Sequence, residues 1–104
     1  MNREAKDSAS FANDKAAALK ELQKIPGVGK SIAGDFWELG LRSVKDLKGI
    51  NPEKLYQTFC DFKKVPVDRC LLYVMRCAVY YASNRRCRPE LLKWWVWKDN
   101  KDEP

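Results

Sequence analysis

The chain has 104 residues, of which 45% are apolar, and this size and composition predict one compact domain. Its 20 basic and 14 acidic residues give a net charge of +6, which favours anionic partners, with nucleic acid first among them. The absence of histidine excludes Ser-His and Cys-His catalysis and every histidine-containing metal site. No apolar run approaches the roughly 20 residues that span a bilayer, and the N-terminus has no apolar signal core. We therefore expect a cytoplasmic protein.

The first part of the chain predicts a leader and two helices. Residues 1–12 are polar and aperiodic, and we expect a flexible leader there. Residues 13–25 are rich in helix formers whose apolar members share one face, and Pro26 disfavours helical geometry just before it. Residues 30–39 predict a second helix, with Gly40 as its C-terminal stop.

The middle of the chain predicts three more helices. Residues 43–46, Ser-Val-Lys-Asp, have the spacing of a capping box and indicate a short helix that ends at Gly49. Asn51 as N-cap and Pro52 at the first helical position are a strong helix start. Residues 69–83 are apolar nearly all round, which is typical of a helix buried at the centre of a small domain.

The end of the chain completes an all-α prediction. The stretch ELLKWWVWKDN predicts a short terminal helix, and residues 99–104 predict a flexible tail. No segment alternates with the two-residue period of a strand. We predict a bundle of about five or six short helices in a single domain over residues 13–98, with a hairpin motif at 18–40 and a second helical pair at 52–83.

The stretch IPGVGKS at residues 25–31 has two incompatible interpretations. As the end of a nucleotide-binding P-loop, it needs a glycine five positions before the Gly-Lys pair, where Lys24 stands. A P-loop also needs a buried strand in front, where this sequence predicts an amphipathic helix. Both departures argue against ATP or GTP binding.

A tight hairpin between two helices fits the same residues. The segment 26–29 contains a proline that stops a helix, two glycines that permit unusual backbone angles, and Val28 as an apolar plug. The next helix then begins at once, and its free N–H groups and partial positive charge form an anion site. Lys30 and Ser31 stand at the same helix start and can add a charge and a hydroxyl.

Residues 22–47, LQKIPGVGKSIAGDFWELGLRSVKDL, resemble a helix-hairpin-helix motif. The resemblance implies that hairpin amides bind DNA phosphates without reading sequence, sometimes with a monovalent cation held by hairpin carbonyls. The positions carried over are Gly27, Val28, Gly29, Lys30 and Ser31. Ile25 and Lys24, from the same turn, complete the predicted DNA-binding hairpin.

The resemblance extends over about residues 18–83 to the small bacterial proteins of the pathogenicity-locus family, some of which are associated with mitomycin resistance. It implies a tandem helix-hairpin-helix fold, in which two such motifs pack about a pseudo-twofold axis. The second connector, KKVPVD at 63–68, lacks the two glycines. The second half is therefore expected to be a packing partner that offers Lys63 and Lys64 at most.

The four cysteines are interpreted first as small apolar core residues. Two alternatives stay open. Four thiolates brought together by the fold would hold a structural zinc ion, although no metal site is expected. Cys87 is the most reactive candidate, because the neighbouring arginines would lower the pKa of its thiol. The four positions are Cys60, Cys70, Cys77 and Cys87.

Two further clusters carry functional alternatives. Arg85, Arg86 and Arg88 form either a second phosphate-binding patch or an ordinary solvated helix end. In the stretch KWWVWK, Trp94 and Trp97 are three residues apart and can pack on the core, while Trp95 points elsewhere. An exposed tryptophan can stack on unpaired bases or anchor a protein partner.

The sequence thus predicts a DNA-binding module without enzymatic activity that contacts backbone phosphates and reads no bases. Asp35 and Glu38, three residues apart, fit a solvated helix face rather than a catalytic carboxylate pair. The alternative is a protein-interaction module with the same helical fold, anchored by Trp94, Trp95 and Trp97.

Overall fold

A computed structural model of the chain describes residues 14–99, and every regular element within that range is helical. The four α-helices are α1 (14–22), α2 (Lys30–Glu38), α3 (Pro52–Lys63) and α4 (Cys70–Ser83). Three 3₁₀ turns cover Val44–Leu47, Pro89–Leu92 and Trp94–Trp97. Of the described helices, none combines the length and apolar character needed to cross a membrane.

The all-α prediction is confirmed. Within residues 14–99 the number of α-helices is four rather than five or six, because the predicted third and terminal helices wind as short 3₁₀ turns. The predicted leader, residues 1–12, and residues 100–104 of the predicted tail lie outside the described range.

Helix α1 ends three residues before the position that the sequence pattern predicts. The amide of Lys24 donates to the carbonyl of Glu21 (3.1 Å), and that of Ile25 donates to the carbonyl of Leu22 (3.2 Å). These are i→i−3 bonds, which tighten a last turn into 3₁₀ geometry. Pro26 explains the early end, because it disfavours α geometry at the residue before it.

Gly40 terminates α2 as predicted. It has a φ of +91°, in the left-handed region that favours glycine. Its amide donates to the carbonyl of Trp37 (2.9 Å), and the amide of Leu41 donates to that of Phe36 (3.0 Å). This pair of bonds is a Schellman motif, and it turns the chain sharply towards the next element.

Helix α3 begins where the sequence predicts. The side-chain oxygen of Asn51 accepts hydrogen bonds from the amides of Glu53 (2.9 Å) and Lys54 (3.2 Å), and Pro52 occupies the first turn. Its C-cap is Lys64, the one non-glycine residue of the described chain with a positive φ, at 58°. This left-handed residue leads directly into the connector to α4.

Helix α4 is the centre of the molecule, as its apolar sequence predicts. It contacts α3 and all three 3₁₀ turns. The hydrophobic core combines its inward face with residues from α1, the first hairpin, α2 and α3. The fully buried core side chains are Leu22, Ile25, Ala33, Phe36, Leu47, Leu72, Met75, Cys77 and Ala78.

A network of charged side chains fastens the C-terminal segment to α3 and α4. Arg76 donates to the carboxylate of Glu53 (2.7 Å) and to the carbonyl of Trp97 (2.7 Å). It also pairs with Asp99 (3.0 Å), a residue of the predicted tail that pairs with Arg69 as well. Burial by itself would lower the pKa of Arg76, but the hydrogen bonds to Glu53 and Asp99 outweigh it and raise the pKa. The network places the tryptophan-containing turn along α4.

Candidate functional site: the hairpin between α1 and α2

The turn between α1 and α2 is closed by its own backbone. Gly27 has a φ of +86°, a conformation that side chains rarely adopt. The amide of Val28 donates to the carbonyl of Ile25 (3.0 Å), and both side chains lie in the core. The prediction of Val28 as an apolar plug is confirmed. Of these two residues, only backbone groups can therefore face a ligand.

The start of α2 has open amides. Gly29 is its N-cap, in an extended conformation with φ −94° and ψ −169°, and no side chain accepts a hydrogen bond there. The first amide that bonds within the helix is that of Ala33, which donates to the carbonyl of Gly29 (2.9 Å). The four amides of residues 29–32 have no acceptor among residues 14–99. Ser31, which could have served as a cap, does not occupy them.

Two other helix starts are capped by the protein's own side chains. Asn51 caps α3, as described above. At α4, the carboxylate of Asp68 accepts a hydrogen bond from the amide of Cys70 (2.9 Å). Because this backbone bond favours the charged form, it lowers the pKa of Asp68. Of these three helix starts, that of α2 has the room and the free donors for an external anion.

Side chains at the hairpin add positive charge unevenly. Lys30 and Ser31 are exposed, and within the described chain neither has a charged or hydrogen-bonding partner. Lys24 pairs with Glu21 (3.0 Å), which lowers the pKa of that carboxylate. The carboxylate also accepts a hydrogen bond from the amide of Val44 (3.4 Å). Among the described residues, Lys30 is therefore the unpaired cation of the hairpin, and Lys24 is partly neutralised.

Gly27 of the hairpin meets Trp94. A methyl group at Gly27 would lie 3.1 Å from Cδ1 of Trp94, so the ring packs on the glycine backbone. Beside this contact is a cavity of about 350 Å³, whose lining includes Asp35 and Asp68. Burial raises the pKa of Asp35, and the charge of Glu38 adds to the effect. Asp35 is thus half-buried, in contrast to the solvated helix face that the sequence predicts.

The structure places the predicted arginines away from the hairpin. Leu71, in the first turn of α4, lines the cavity beside Gly27. At the other end of the helix, the hydroxyl of Ser83 accepts a hydrogen bond from the amide of Gly49 (3.0 Å). A 14-residue helix is about 20 Å long, and this length separates the turn that follows Ser83 from the helix end that lies beside the hairpin.

The three arginines of this turn differ in their ion pairing. Arg88 pairs with Glu90 (3.4 Å), whereas Arg85 and Arg86 are exposed without an ion-pair partner among the described residues. The ten predicted DNA-binding residues therefore form two groups, seven at the hairpin and three in this turn.

The tryptophans divide as predicted. Trp94 packs against the core, and Trp97 packs against Tyr80 with ring centroids 5.5 Å apart. The indole N–H of Trp97 donates to the carbonyl of Leu91 (2.9 Å). Trp95 remains 51% exposed. Of the three rings, Trp95 is therefore the one most open to a partner, because the other two already have intramolecular contacts.

The cysteines are all free, and in residues 14–99 no three cysteine or carboxylate side chains come together to hold a metal ion. The zinc alternative therefore has no ligand set in this part of the chain. Cys77 is a core residue as expected, and burial raises the pKa of its thiol to about 11. Cys70 is exposed, and its hydrogen bond with Asp68 raises its thiol pKa. The thiol of Cys87 donates weakly to the carbonyls of Tyr81 and Asn84.

Sequence reasoning missed two features of this site. The cap of α4 had a local signal, because Asp68 stands two residues before the first helical position. The contact of Trp94 with Gly27 had none, because the two residues are far apart in the chain and meet only through packing against α4.

The family model for Cdd1, described as pathogenicity locus, matches residues 15–103. The chain belongs to this family, and the predicted resemblance to the pathogenicity-locus family is confirmed. No curated protein and no solved structure matched the chain.

Proposed function

We propose that this protein binds DNA without sequence specificity, by placing a backbone phosphate on the open amides at the start of α2. The observation that carries the proposal is the uncapped helix start beside the Gly27 turn, where residues 29–32 have free N–H groups within the described chain. Such amides, together with the positive end of the helix dipole, favour an anion. Phosphate contacts of this kind position a protein on DNA but carry no sequence information.

The charges around the hairpin support the proposal. Lys30 adds an exposed cation at the helix start, and the chain carries a net charge of +6. The turn between α1 and α2 also keeps the sequence features that resemble a helix-hairpin-helix motif. Arg85 and Arg86 extend the contact only to DNA long enough to reach the other end of α4. No covalent step is part of this function.

A single hairpin meets few phosphates, so the affinity should lie near the nonspecific range of about 10⁻⁴ to 10⁻⁶ M. Binding releases condensed counterions, and log K should therefore fall linearly with log salt concentration. A shallow slope is expected, because the slope grows with the number of phosphates neutralised.

The test is to give α2 the kind of cap that α4 already has. In Gly29→Asp, the new carboxylate can accept the free amides, since the N-cap backbone is already extended and nothing lies within 4 Å of the new Cβ. Gly29→Asn supplies the same cap without charge. Gly34→Asp is the matched control, because it adds the same charge to the same helix, at a position where the new Cβ also meets nothing within 4 Å.

Fluorescence anisotropy with labelled DNA at two salt concentrations measures the outcome. We expect Gly29→Asp to abolish binding and Gly29→Asn to weaken it clearly, while Gly34→Asp changes it only slightly. Equal effects of Gly29→Asp and Gly34→Asp would show that net charge, and not the amides, determines binding. If the folded wild-type protein binds no DNA at low salt, the protein-interaction alternative is favoured instead.

A further inference from the structure

The exposed indole of Trp95 contacts the ring that packs on the hairpin. Trp94 packs on Gly27, where a Cβ added to the glycine would lie 3.1 Å from the indole Cδ1. Trp95 meets Trp94 edge to face, with centroids 5.9 Å apart and planes at 88°. Trp95 is nevertheless 51% exposed, and its indole N–H has no acceptor among the described residues. Two successive contacts therefore link the Gly27 turn to the Trp95 ring.

The 3₁₀ turn Trp94–Trp97 determines which rings are exposed. Trp94 and Trp97 are directed to the body of the protein, where they contact the core and Tyr80. Trp95 is directed outward by the same turn. Lys93 and Lys98 flank it, and both are exposed without an ion-pair partner in the described chain. The surface thus combines an open aromatic ring with positive charge, which suits a polyanion that carries flat rings.

We propose that Trp95 stacks on an unpaired nucleobase of a strand whose phosphate binds at the start of α2. The preferred ligand is then single-stranded DNA, or a duplex with a single-stranded tail, rather than a blunt duplex. This inference rests on the proposed function of the hairpin. A paired duplex keeps its bases stacked on one another, so only the two terminal pairs offer the indole a free face. Stacking tolerates any base, because every base has a π face, and it is therefore compatible with binding that reads no sequence.

Anisotropy titrations with three labelled DNAs test the inference: a single-stranded oligothymidine, a blunt duplex, and the same duplex with an oligothymidine tail. The variants are Trp95→Ala, Trp95→Phe, and Val96→Ala as a control at a neighbouring exposed apolar residue. Circular dichroism and thermal melting check that each variant folds. Gly29→Asp is included to report on the hairpin separately.

The wild type should bind the single strand and the tailed duplex more tightly than the blunt duplex. Trp95→Ala should weaken binding to the first two roughly fivefold or more, as expected for one stacked base, and leave blunt-duplex binding unchanged. Trp95→Phe should retain most of the preference, and Val96→Ala all of it.

The remaining outcomes overturn one proposal or both. If binding depends on the hairpin but the affinity is equal for all three DNAs, the stacking inference alone is overturned. It is also overturned if Trp95→Ala reduces the affinity for all three DNAs equally. Single-strand binding that needs Trp95 but survives Gly29→Asp overturns the hairpin proposal and keeps the stacking surface. Absence of binding to any DNA overturns both.

Discussion

The connectors of the two helical pairs occupy corresponding positions in the chain. Helix α2 begins at Lys30 and α4 begins at Cys70, and a proline stands four residues before each start, at Pro26 and Pro66. Residues that correspond in this way differ sharply in burial. Leu22 and Ile25 are 0% and 1% exposed, whereas their counterparts, Phe62 and Val65, are each 57% exposed.

The starts of α2 and α4 also differ, in whether their backbone amides have an acceptor. The amides at the start of α2 are open, whereas Asp68 accepts the first amide of α4. In the first helical pair, Ile25 of the connector lies in the core and the amides at the start of α2 are free. In the second, Val65 of the connector is exposed and Asp68 accepts the first amide of α4. The comparison shows that two connectors at equivalent positions can expose different groups to solvent. Local capping decides whether the helix amides are free, and the surrounding core decides which side chains are buried.

The largest expected difference concerns matched apolar residues of the two pairs. Leu22→Ala should destabilise the protein by about 2–5 kcal/mol, because it leaves a cavity at a fully buried position. Phe62→Ala removes an exposed side chain and should change stability by about 0.5 kcal/mol or less. Urea unfolding followed by circular dichroism measures both. Comparable losses would mean that the Phe62 side chain is covered in solution.

The next effect concerns two glycines with matching backbones. Gly27 has a φ of +86° and Gly40 a φ of +91°, so alanine at either position should cost about 1–3 kcal/mol in backbone strain. Gly27→Ala should cost more, because its Cβ would lie 3.1 Å from Trp94, whereas the Cβ at Gly40 meets nothing within 4 Å. Urea unfolding gives the free energies, and tryptophan emission should shift in Gly27→Ala. An unchanged emission spectrum would contradict the Trp94 contact.

A smaller effect concerns helix caps. Asn51→Ala removes the cap of α3 and should cost about 1 kcal/mol. Gly29→Asp adds a cap to α2 and should stabilise the protein by a few tenths of a kcal/mol, roughly the difference between glycine and aspartate at this position. Thermal melting measures the two opposite shifts. A destabilising Gly29→Asp would indicate that the α2 amides do not accept a side-chain partner.

The smallest effect depends on pH and concerns the C-terminal segment. Hydrogen bonds from Arg69 and Arg76 hold the pKa of Asp99 well below its usual range. A carboxylate with a lowered folded-state pKa stabilises the protein at neutral pH, and this contribution is lost progressively as the pH falls below about 5.

Asp99→Asn should therefore lower the melting temperature at pH 7, and the difference from the wild type should shrink steadily as the pH falls below about 5. Glu90→Gln is a suitable control, because Glu90 pairs with Arg88 on the exposed surface. If the difference in melting temperature between the wild type and Asp99→Asn does not change as the pH falls from 7 into the acidic range, the ion pairs of Asp99 are not its cause.

Much of the helical pattern could be predicted because its causes are local. The Asn51–Pro52 start of α3, the stop at Gly40 and the apolar helix at the centre all follow from capping, backbone freedom and side-chain periodicity. The type of helix in short segments was harder to predict. The third predicted helix and the terminal helix became 3₁₀ turns, because a few residues gain little from α-helical hydrogen bonds and follow the packing around them.

The sequence by itself determined that the chain is helical, that it turns tightly at Gly27, and that α4 is central. These follow from interactions within a few residues and from a hydrophobic pattern that any packing must bury. Tertiary structure alone decided that Trp94 covers the hairpin, that Trp95 stays outside, and that the start of α4, and not the end that leads into the arginine turn, lies beside the hairpin. Such contacts join residues that are distant in the chain, and their geometry depends on how all the helices pack together.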